Sequence, residues 1–352
     1  MAATTHIYAG AARWRAKGKL AGVFRADPDE GRWEHLTRGL PDDIHVQAIT
    51  VHPREPDVVF AGTHDGPYRS TDRGEHWEKL DFPDRNMQVW SILVHPERPR
   101  TVFVGTAPVA VYRSDDGGDH WRLLSRPQLP ARCEMGFAPR VMRLAVDPQN
   151  PDFLYAPLEV NGVMRSRDGG ESWQDCSADL IRLAVQPHLK SAIGTKMESE
   201  GMLDCHALCV TPADPGGVFV ALRMGLFHSS DRGETWADME VKRFSPLTYG
   251  RDVRVSFQDP RILYACLSVE AFGKTGSVCR SDDVGRTWRR LDHGVAPRGT
   301  MMNLALHPRD PDQVYSIARG GQAFGTRDGG KTWREYLLPE GVSPDCYAIA
   351  CG

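Results

Sequence analysis

The stretch Ser70-Thr-Asp-Arg-Gly-Glu-His-Trp77 decides the fold, because its pattern occurs six times along the chain. In each copy an aspartate follows a serine or threonine by two residues, and a glycine and a tryptophan follow at fixed distances. The six aspartates are separated by 44, 52, 63, 52 and 45 residues and are Asp72, Asp116, Asp168, Asp231, Asp283 and Asp328. A four-stranded β unit needs about 40–50 residues, so this period predicts the blades of a β-propeller.

Each copy of the pattern is typical of a tight turn between two strands. The aspartate carboxylate can accept hydrogen bonds from backbone N–H groups of its own turn. The glycine two residues later allows a positive φ, and the tryptophan starts the next strand with a large apolar face. Because the same aspartate recurs in all six copies, we interpret these aspartates as structural residues of the turns and not as six active sites.

The six segments resemble the Asp-box (BNR) repeat, Ser/Thr-x-Asp-x-Gly-x-Thr-Trp, of the sialidase, sortilin and xyloglucanase propellers. The copies extend over nearly the whole chain. The resemblance implies that each box lies on the outer hairpin of a blade, away from the ligand site. It does not imply ordinary sialidase activity, because Phe24-Arg-Ala-Asp27 stands where sialidases carry a Phe/Tyr-Arg-Ile-Pro signature.

A second pattern, an apolar strand that ends near a proline, precedes each copy, as in Val46-Gln-Ala-Ile-Thr-Val-His-Pro53. The N-terminal unit lacks this inner strand, while Cys346-Tyr-Ala-Ile-Ala-Cys351 is left over at the C-terminus. We therefore predict an all-β fold, a single seven-bladed β-propeller with four-stranded blades, whose ring closes when the C-terminal strand joins the N-terminal blade. Six blades and a loose terminus are the alternative.

The predicted domain covers residues 1–352. Its predicted boundaries are 346–352 with 6–36 for blade 1, 44–80 for blade 2, 87–124 for blade 3, 140–176 for blade 4, 177–203 for an insertion, 204–239 for blade 5, 252–291 for blade 6 and 299–336 for blade 7.

Composition excludes several classes of function. The chain has no run of 18 apolar residues and no basic-then-apolar leader, so we expect no membrane span and a cytoplasmic location. Its eight cysteines are then expected to be reduced. A formal net charge of −3 argues against nucleic acid as the main partner. We expect a small-molecule ligand and predict no cofactor.

The ligand site is expected at one mouth of the central channel, where the inner strands begin and the loops between second and third strands meet. Strand alternation predicts two rows of channel-facing residues there, at six and eight positions before the proline of each inner strand. The first row is Gln47, Trp90, Met142, His206, Arg254 and Met302. The second row is His45, Gln88, Arg140, Asp204, Asp252 and Thr300.

The favoured site lies on the adjacent blades 5 and 6, with Glu159 and Arg143 of blade 4 beside it. The candidate catalytic residues are His206, Asp204, Tyr249 and Glu159, since a histidine beside a carboxylate can move protons. Arginines can hold an anionic group with two parallel hydrogen bonds. The candidate substrate-binding residues are Arg143, Arg223, Arg251, Asp252, Arg254 and Trp90. A metal site in the channel formed by His45, His64 and His206 is an alternative.

Two connections could modify this site. In the insertion at 177–203, Ser177 could cap a helix that ends or kinks at Pro187, although residues 181–186 also imitate an inner strand. An insertion of this size at the mouth is expected to be a lid or a homodimer contact. The basic–aromatic loop at 13–19 either grips a ligand or is a solvated surface hairpin.

The sequence leaves two classes of function open. The first is a glycosyl-hydrolase-like propeller that binds, and hydrolyses or eliminates, a small carboxylated or glycosidic molecule at the channel mouth. The second is a non-catalytic cytoplasmic scaffold or assembly propeller, like the sortilin ectodomain or the photosystem II assembly propeller. The pairing of histidine with carboxylates favours a hydrolase or lyase over the scaffold.

Overall fold

The structure is a computed structural model that describes residues 5–14, 19–85, 87–132 and 135–352, and it contains seven four-stranded antiparallel sheets. The seven sheets follow one another in sequence, so each is one blade of a single propeller. In blade 1 the strand nearest the axis comes from the C-terminus. The prediction of seven blades is therefore confirmed, and the six-bladed alternative is wrong.

Each blade contains an inner, a second, a third and an outer strand, in order of increasing distance from the axis. From blade 1 to blade 7, the inner strands are Asp345–Cys351, Val46–Val51, Gln88–Val94, Ala145–Val146, Cys205–Val210, Tyr249–Val255 and Met301–Leu306. In the same order, the second strands are Ile7–Ala12, Val59–Thr63, Val102–Ala107, Leu154–Leu158, Val218–Leu222, Leu263–Ser268 and Val314–Ala318. The third strands are Gly22–Ala26, Gly66–Ser70, Val111–Ser114, Gly162–Ser166, Gly225–Ser229, Gly276–Ser281 and Gln322–Thr326. The outer strands are Trp33–Leu36, Glu78–Lys79, Arg122–Leu123, Gln174–Asp175, Ala237–Asp238, Arg289–Arg290 and Arg334–Leu337.

The repeated turn joins the third strand of a blade to its outer strand. In blade 2 the Ser70 hydroxyl donates to Asp72 Oδ1 at 2.8 Å, and Ser70 Oγ accepts from the Gly74 backbone N–H at 2.7 Å. Asp72 Oδ1 also accepts from the backbone N–H of His76 at 2.9 Å. The other five copies repeat these bonds. The predicted structural role of the aspartates is confirmed, since each carboxylate binds its own turn.

The ring closes through the pairing of the two ends of the chain. Strand Asp345–Cys351 runs antiparallel to Ile7–Ala12, with Ile7 opposite Cys351, and the backbone N–H of His6 donates to the Gly352 carbonyl at 2.9 Å. Ile349 lies buried in an apolar cluster formed by blades 1 and 7. The C-terminal strand thus completes a sheet and also fills the space between two blades.

The insertion packs against blades 4 and 5. Its helices are Ala178–Leu183 and Glu200–Leu203, with a 3₁₀ turn at Pro187–Leu189, and a further 3₁₀ turn, Val241–Arg243, follows blade 5. Residues 181–186 form no strand, so the helical interpretation is the correct one. Ser177 does not cap the helix with its side chain, because its Oγ accepts from the Val163 backbone N–H at 3.0 Å. No helix among the described residues is long and apolar enough to cross a bilayer.

One extra residue on the inner strand distinguishes the axial end of most blades. In six blades the pairing of inner and second strands skips one inner residue, which is the signature of a β-bulge. The skipped residues are Tyr347, Gln47, Trp90, His206, Arg251 and Met302. A bulge re-aims its side chain, so the fold itself produces a ring of residues directed at the axis.

Candidate functional site

The ring of bulge residues surrounds a cavity of ≈ 50 Å³ on the propeller axis. All six skipped residues line this cavity, together with Met142 of blade 4. Further along the inner strands, Arg143, Arg254 and Asn303 also line it. A water molecule occupies ≈ 30 Å³ of liquid, so the cavity has room for one or two waters and not for a sugar ring.

The register of blade 6 differs from the alignment on prolines. The backbone N–H of Ser256 donates to the Ile262 carbonyl at 2.9 Å, just as that of His52 donates to Val58 at 2.9 Å in blade 2. Pro260 is therefore equivalent to Pro56 and not to Pro53. The channel position in blade 6 is consequently occupied by Arg251, while Arg254 lies three residues further along the strand.

His206 is the centre of a buried hydrogen-bonded network. Its Nδ1 lies 2.7 Å from the Gly250 carbonyl, which can only accept, so Nδ1 carries a proton. Its Nε2 lies 3.2 Å from the Tyr249 hydroxyl and 3.3 Å from Asp204 Oδ1. Neutral His206 would accept from Tyr249 through Nε2, whereas protonated His206 would donate from Nε2 to Asp204.

The surroundings of this network fix the charges of its partners. Burial opposes ionisation of Asp204, but His206, Arg251 and Arg223 together hold the pKa of its carboxyl below the usual value. Burial raises the pKa of the Tyr249 hydroxyl to about 12, so the phenol stays protonated at neutral pH. The structure thus brings together three of the four candidate catalytic residues, as an ionised carboxylate, an imidazole and a phenol.

The fourth candidate, Glu159, pairs with Arg140 and not with His206. Its carboxylate forms an ion pair with Arg140, and its backbone N–H donates to the Arg140 carbonyl at 3.1 Å. Burial lowers the pKa of the Arg140 guanidinium, although Glu159 and Tyr347 counteract this effect. Glu159 therefore serves first as the counter-ion of an arginine in blade 4.

Arg251 is the most unusual cation of the site. It is only 8% exposed and lines the axial cavity. Its guanidinium has no hydrogen bond or ion pair within the described ranges. Burial disfavours its charge, but Tyr249, Glu159 and Asp204 raise the pKa of Arg251 above its usual value, so it remains a cation. A buried cation that lacks a direct partner is expensive unless an anion joins it.

A continuous row of aromatic and cationic side chains crosses the mouth. The Arg140 guanidinium carbon lies 4.2 Å from the centre of the Phe137 ring and 4.1 Å from that of Trp90. The Trp90 and Tyr347 rings meet edge to face at 5.6 Å although they belong to blades 3 and 1. On the far side, Arg319 lies 5.5 Å from Tyr347 and 4.3 Å from Phe272. In this mouth row the aromatic rings pack against the faces of the two guanidinium groups, so the N–H groups at the edges remain available to other partners.

The remaining arginines are distributed between the mouth and the channel. Arg223 lies 3.8 Å from Asp204 Oδ2, and its Nε donates to Ser191 Oγ of the insertion at 3.2 Å. Arg143 and Arg254 lie deeper, where they share the buried carboxylate of Asp252 at 3.4 and 3.2 Å. The insertion therefore contacts the site through Arg223. The carboxylate of Asp252 serves to pair with two arginines and to stabilise the fold.

The histidines proposed as metal ligands do not form one group. The rings of His45 and His64 lie 4.7 Å apart, and His64 Nδ1 accepts from the His45 backbone N–H at 3.1 Å. His206 belongs to the separate network on blade 5. Among the residues that the structure describes, no three histidine, cysteine or acidic side chains are arranged to hold a metal ion. Of the basic–aromatic loop at 13–19, residues 15–18 lie outside the described residues.

Tyr347 is a member of the mouth that the sequence reasoning missed. The segment Cys346-Tyr-Ala-Ile-Ala-Cys351 matches Val46-Gln-Ala-Ile-Thr-Val51 position by position, so Tyr347 stands where Gln47 does. No proline follows this last strand, and the proline-based alignment therefore passed over it. Phe137 and Phe272 left no comparable signal, because they come from loops of unrelated length that meet only in the folded ring.

Comparison with known proteins gives matches over different parts of the chain. The family model described as "Sortilin, neurotensin receptor 3" matches residues 65–203. Vacuolar protein sorting/targeting protein 10 of Mycosarcoma maydis is 37% identical over 65 residues, which are 18% of this chain and 4% of that protein. The xyloglucanase of Hypocrea jecorina is 21% identical over 359 residues, which are 90% of this chain and 36% of that protein.

The solved structure of the GH74 xyloglucanase from Xanthomonas campestris superposes with a TM-score of 0.64 and 18% identity, and covers 97% of this chain and 52% of that chain. The fold and these matches together define a seven-bladed propeller of the sortilin/xyloglucanase-like superfamily. Its fold is similar to that of the propellers in these two xyloglucanases. It spans about half the length of the solved xyloglucanase and a smaller part of the two curated relatives.

Proposed function

We propose that this propeller binds a small carboxylated molecule at the mouth of its channel, and that His206 transfers a proton to or from that molecule. The observation that carries the proposal is Arg251, a residue that is only 8% exposed and whose side chain lines the cavity with no ion pair among the described residues. A carboxylate is the natural partner, because the planar guanidinium can donate two parallel hydrogen bonds to it.

The other charges of the mouth support an anionic ligand. Arg140 and Arg319 present guanidinium edges between aromatic rings, with Glu159 and Asp345 as their respective counter-ions. Arg251 adds a cation for which no direct counter-ion is present among the described residues. A ligand that carries one carboxylate would balance this charge, and the aromatic faces of the mouth row would contact its apolar or sugar part.

The network around His206 supports acid–base chemistry on such a ligand. With Nδ1 fixed by Gly250, the proton can be exchanged only at Nε2, and Asp204 would stabilise the imidazolium that forms. Hydrolysis of a glycosidic bond would require one carboxyl group as acid and a second carboxylate. Asp204 is held ionised, which leaves His206 or Tyr249 as the proton donor for hydrolysis. Elimination, in which a proton is removed from the carbon next to a carboxylate, suits the same groups equally well.

Calorimetric titration with D-glucuronate and with neutral D-glucose tests the binding proposal. We expect heat of binding for glucuronate and none for glucose, since only the former carries a carboxylate. Arg251→Met should remove the glucuronate signal, whereas Arg261→Met, at an exposed arginine of the same blade, should retain it. Equal binding of glucuronate by wild type and Arg251→Met would contradict the proposal.

Turnover of 4-nitrophenyl glucuronide tests the catalytic part separately. We expect release of 4-nitrophenol for hydrolysis, or ultraviolet absorbance of a new C=C bond for elimination. His206→Gln should abolish either signal while glucuronate binding is retained, because Arg251 stays in place. Turnover by His206→Gln at the wild-type rate would remove His206 from the mechanism and leave the binding proposal intact.

A further inference from the structure

Gln47 has a buried side chain whose hydrogen-bonding groups are unused. It is 4% exposed, it is the bulge residue of blade 2, and it lines the axial cavity. Neither Oε1 nor Nε2 of its amide has a hydrogen-bond partner among the described residues. Buried amides are nearly always hydrogen bonded, because an unpaired one loses its interactions with water without compensation. A small molecule or ion that can hydrogen bond to the amide would therefore be stabilised in the cavity.

The charges around the same cavity indicate the sign of its occupant. Arg143, Arg251 and Arg254 all line the cavity. Asp252 is the acid shared by two of them, at 3.4 Å from Arg143 and 3.2 Å from Arg254. Its oxygens also accept from the backbone N–H groups of Val253 and Leu304, so the carboxylate is already saturated. Cations therefore outnumber carboxylates at the wall, and Arg143 Nε lies 3.4 Å from Asp252 Oδ1 without a hydrogen bond to it.

The size of the cavity limits the class of occupant. Its ≈ 50 Å³ accept one halide-sized ion or one compact carboxylate group, and exclude a phosphate ester or a sugar ring. Ile49, Ile92, Met142 and Met302 also line the cavity, so the cations lie in partly apolar surroundings. In agreement with this, burial and the neighbouring Arg254 lower the pKa of Arg143 to about 10, although Asp252 counteracts them.

We propose that the channel holds one small monovalent anion between the Gln47 amide and the guanidinium groups of Arg143 and Arg254. The anion would accept from Gln47 Nε2, which has no hydrogen bond to any described residue, and would lie beside the guanidinium groups of Arg143 and Arg254. This position lies below the mouth, since Arg254 also lines the cavity at the opposite end of the channel. The proposed anion contacts Gln47, Arg143 and Arg254, whereas the ligand proposed for the mouth contacts Arg251, so the two sites use different residues.

Thermal unfolding of the full chain in different sodium salts at constant ionic strength tests this site. Relative to isethionate, which is too large for the cavity, saturating chloride, bromide or formate should raise the Tm by about 2–4 °C. An effect of chloride and bromide alone would identify an inorganic halide as the occupant, and an effect of formate alone would identify a carboxylate group. The salt-dependent shift should vanish in Gln47→Leu and persist in Gln149→Leu, which alters an exposed glutamine.

Crystals of the wild-type protein grown in sodium bromide provide a test that needs no variant. We expect an anomalous peak within hydrogen-bonding distance of Gln47 Nε2 and beside the guanidinium groups of Arg143 and Arg254. An equal Tm in all salts, or bromide peaks at the surface only, would overturn the proposal. The outcome is separable from that for the mouth, because glucuronate binding can fail while bromide occupies the channel.

Discussion

Replacing Ile349 with alanine should weaken the closure of the ring by a predictable amount. Ile349 is 2% exposed and lies on the C-terminal strand, in a cluster with Ile7 of blade 1 and with Tyr315 and Ile317 of blade 7. Removing its side chain therefore leaves a cavity between the first and last blades. Substitutions of this kind cost about 2–5 kcal/mol, depending on how far the surrounding side chains relax.

The expected change in melting temperature follows from the size of the chain. Unfolding entropies of roughly 2.1 cal/mol/K per residue give about 0.7 kcal/mol/K for 352 residues. A loss of about 2–5 kcal/mol then corresponds to a Tm lowered by about 3–7 °C. Val185→Ala is the matched control, because Val185 is 73% exposed and should change the Tm by less than about 1 °C.

Differential scanning calorimetry of both variants and of Ile317→Ala measures these shifts. Ile317 belongs to the same cluster but lies on the second strand of blade 7, within the chain. If the C-terminal strand is an integral part of blade 1, Ile349→Ala and Ile317→Ala should lower the Tm to a similar extent. An unchanged Tm for Ile349→Ala beside a large decrease for Ile317→Ala would refute closure through this strand.

Three further predictions test separate parts of the fold. Deletion of residues 344–352 should expose the edge of strand Ile7–Ala12 and cause aggregation, visible by light scattering; a monomeric protein with the wild-type Tm would exclude the closure. Burial opposes ionisation of Glu200, but hydroxyl and backbone N–H groups of the insertion donate to its carboxylate and hold the pKa below the usual value. The ionised carboxylate therefore stabilises the fold fully above about pH 4.3, and this stabilisation is lost as the pH falls further. Glu200→Gln should therefore show a smaller decrease of the Tm between pH 5 and 3 than wild type, and parallel curves would disprove this role. Gly250→Ala should cost about 1–3 kcal/mol of stability and lower the turnover of 4-nitrophenyl glucuronide, since a Cβ there would lie 2.4 Å from the Gly225 carbonyl oxygen and shift the Gly250 carbonyl that holds His206; wild-type Tm and turnover would contradict it.

The sequence was most informative where one physical requirement recurs in every blade. Each turn needs a carboxylate that binds backbone N–H groups and a glycine with positive φ, so the same letters return at the same spacing, as at Asp72 and Gly74. The missing first inner strand and the unpaired last one could be matched for the same reason. The number of blades and the closure of the ring followed from these repeats alone.

The candidate site was less predictable because its residues are defined by geometry that differs from blade to blade. The bulge that turns Arg251 towards the axis has no sequence signature of its own. Phe257 stands in blade 6 where blade 2 has Pro53, so the alignment on Pro260 pointed to Arg254 instead. The sequence predicts Arg143 and Arg254 as substrate-binding residues, but only the folded structure shows that they share Asp252. The contact of Trp90 with Tyr347 crosses blade 2 and depends on the curvature of the whole ring.

Ligand binding at the mouth depends above all on a carboxylate that joins Arg251 at one end of the axis. A crystal structure of the protein soaked in D-glucuronate measures this contact directly. We predict density for the sugar at the mouth row, with both carboxylate oxygens within about 3 Å of the Arg251 guanidinium nitrogens. Glucuronate bound elsewhere on the propeller, or a mouth that contains only water at saturating glucuronate, would contradict this mode of binding.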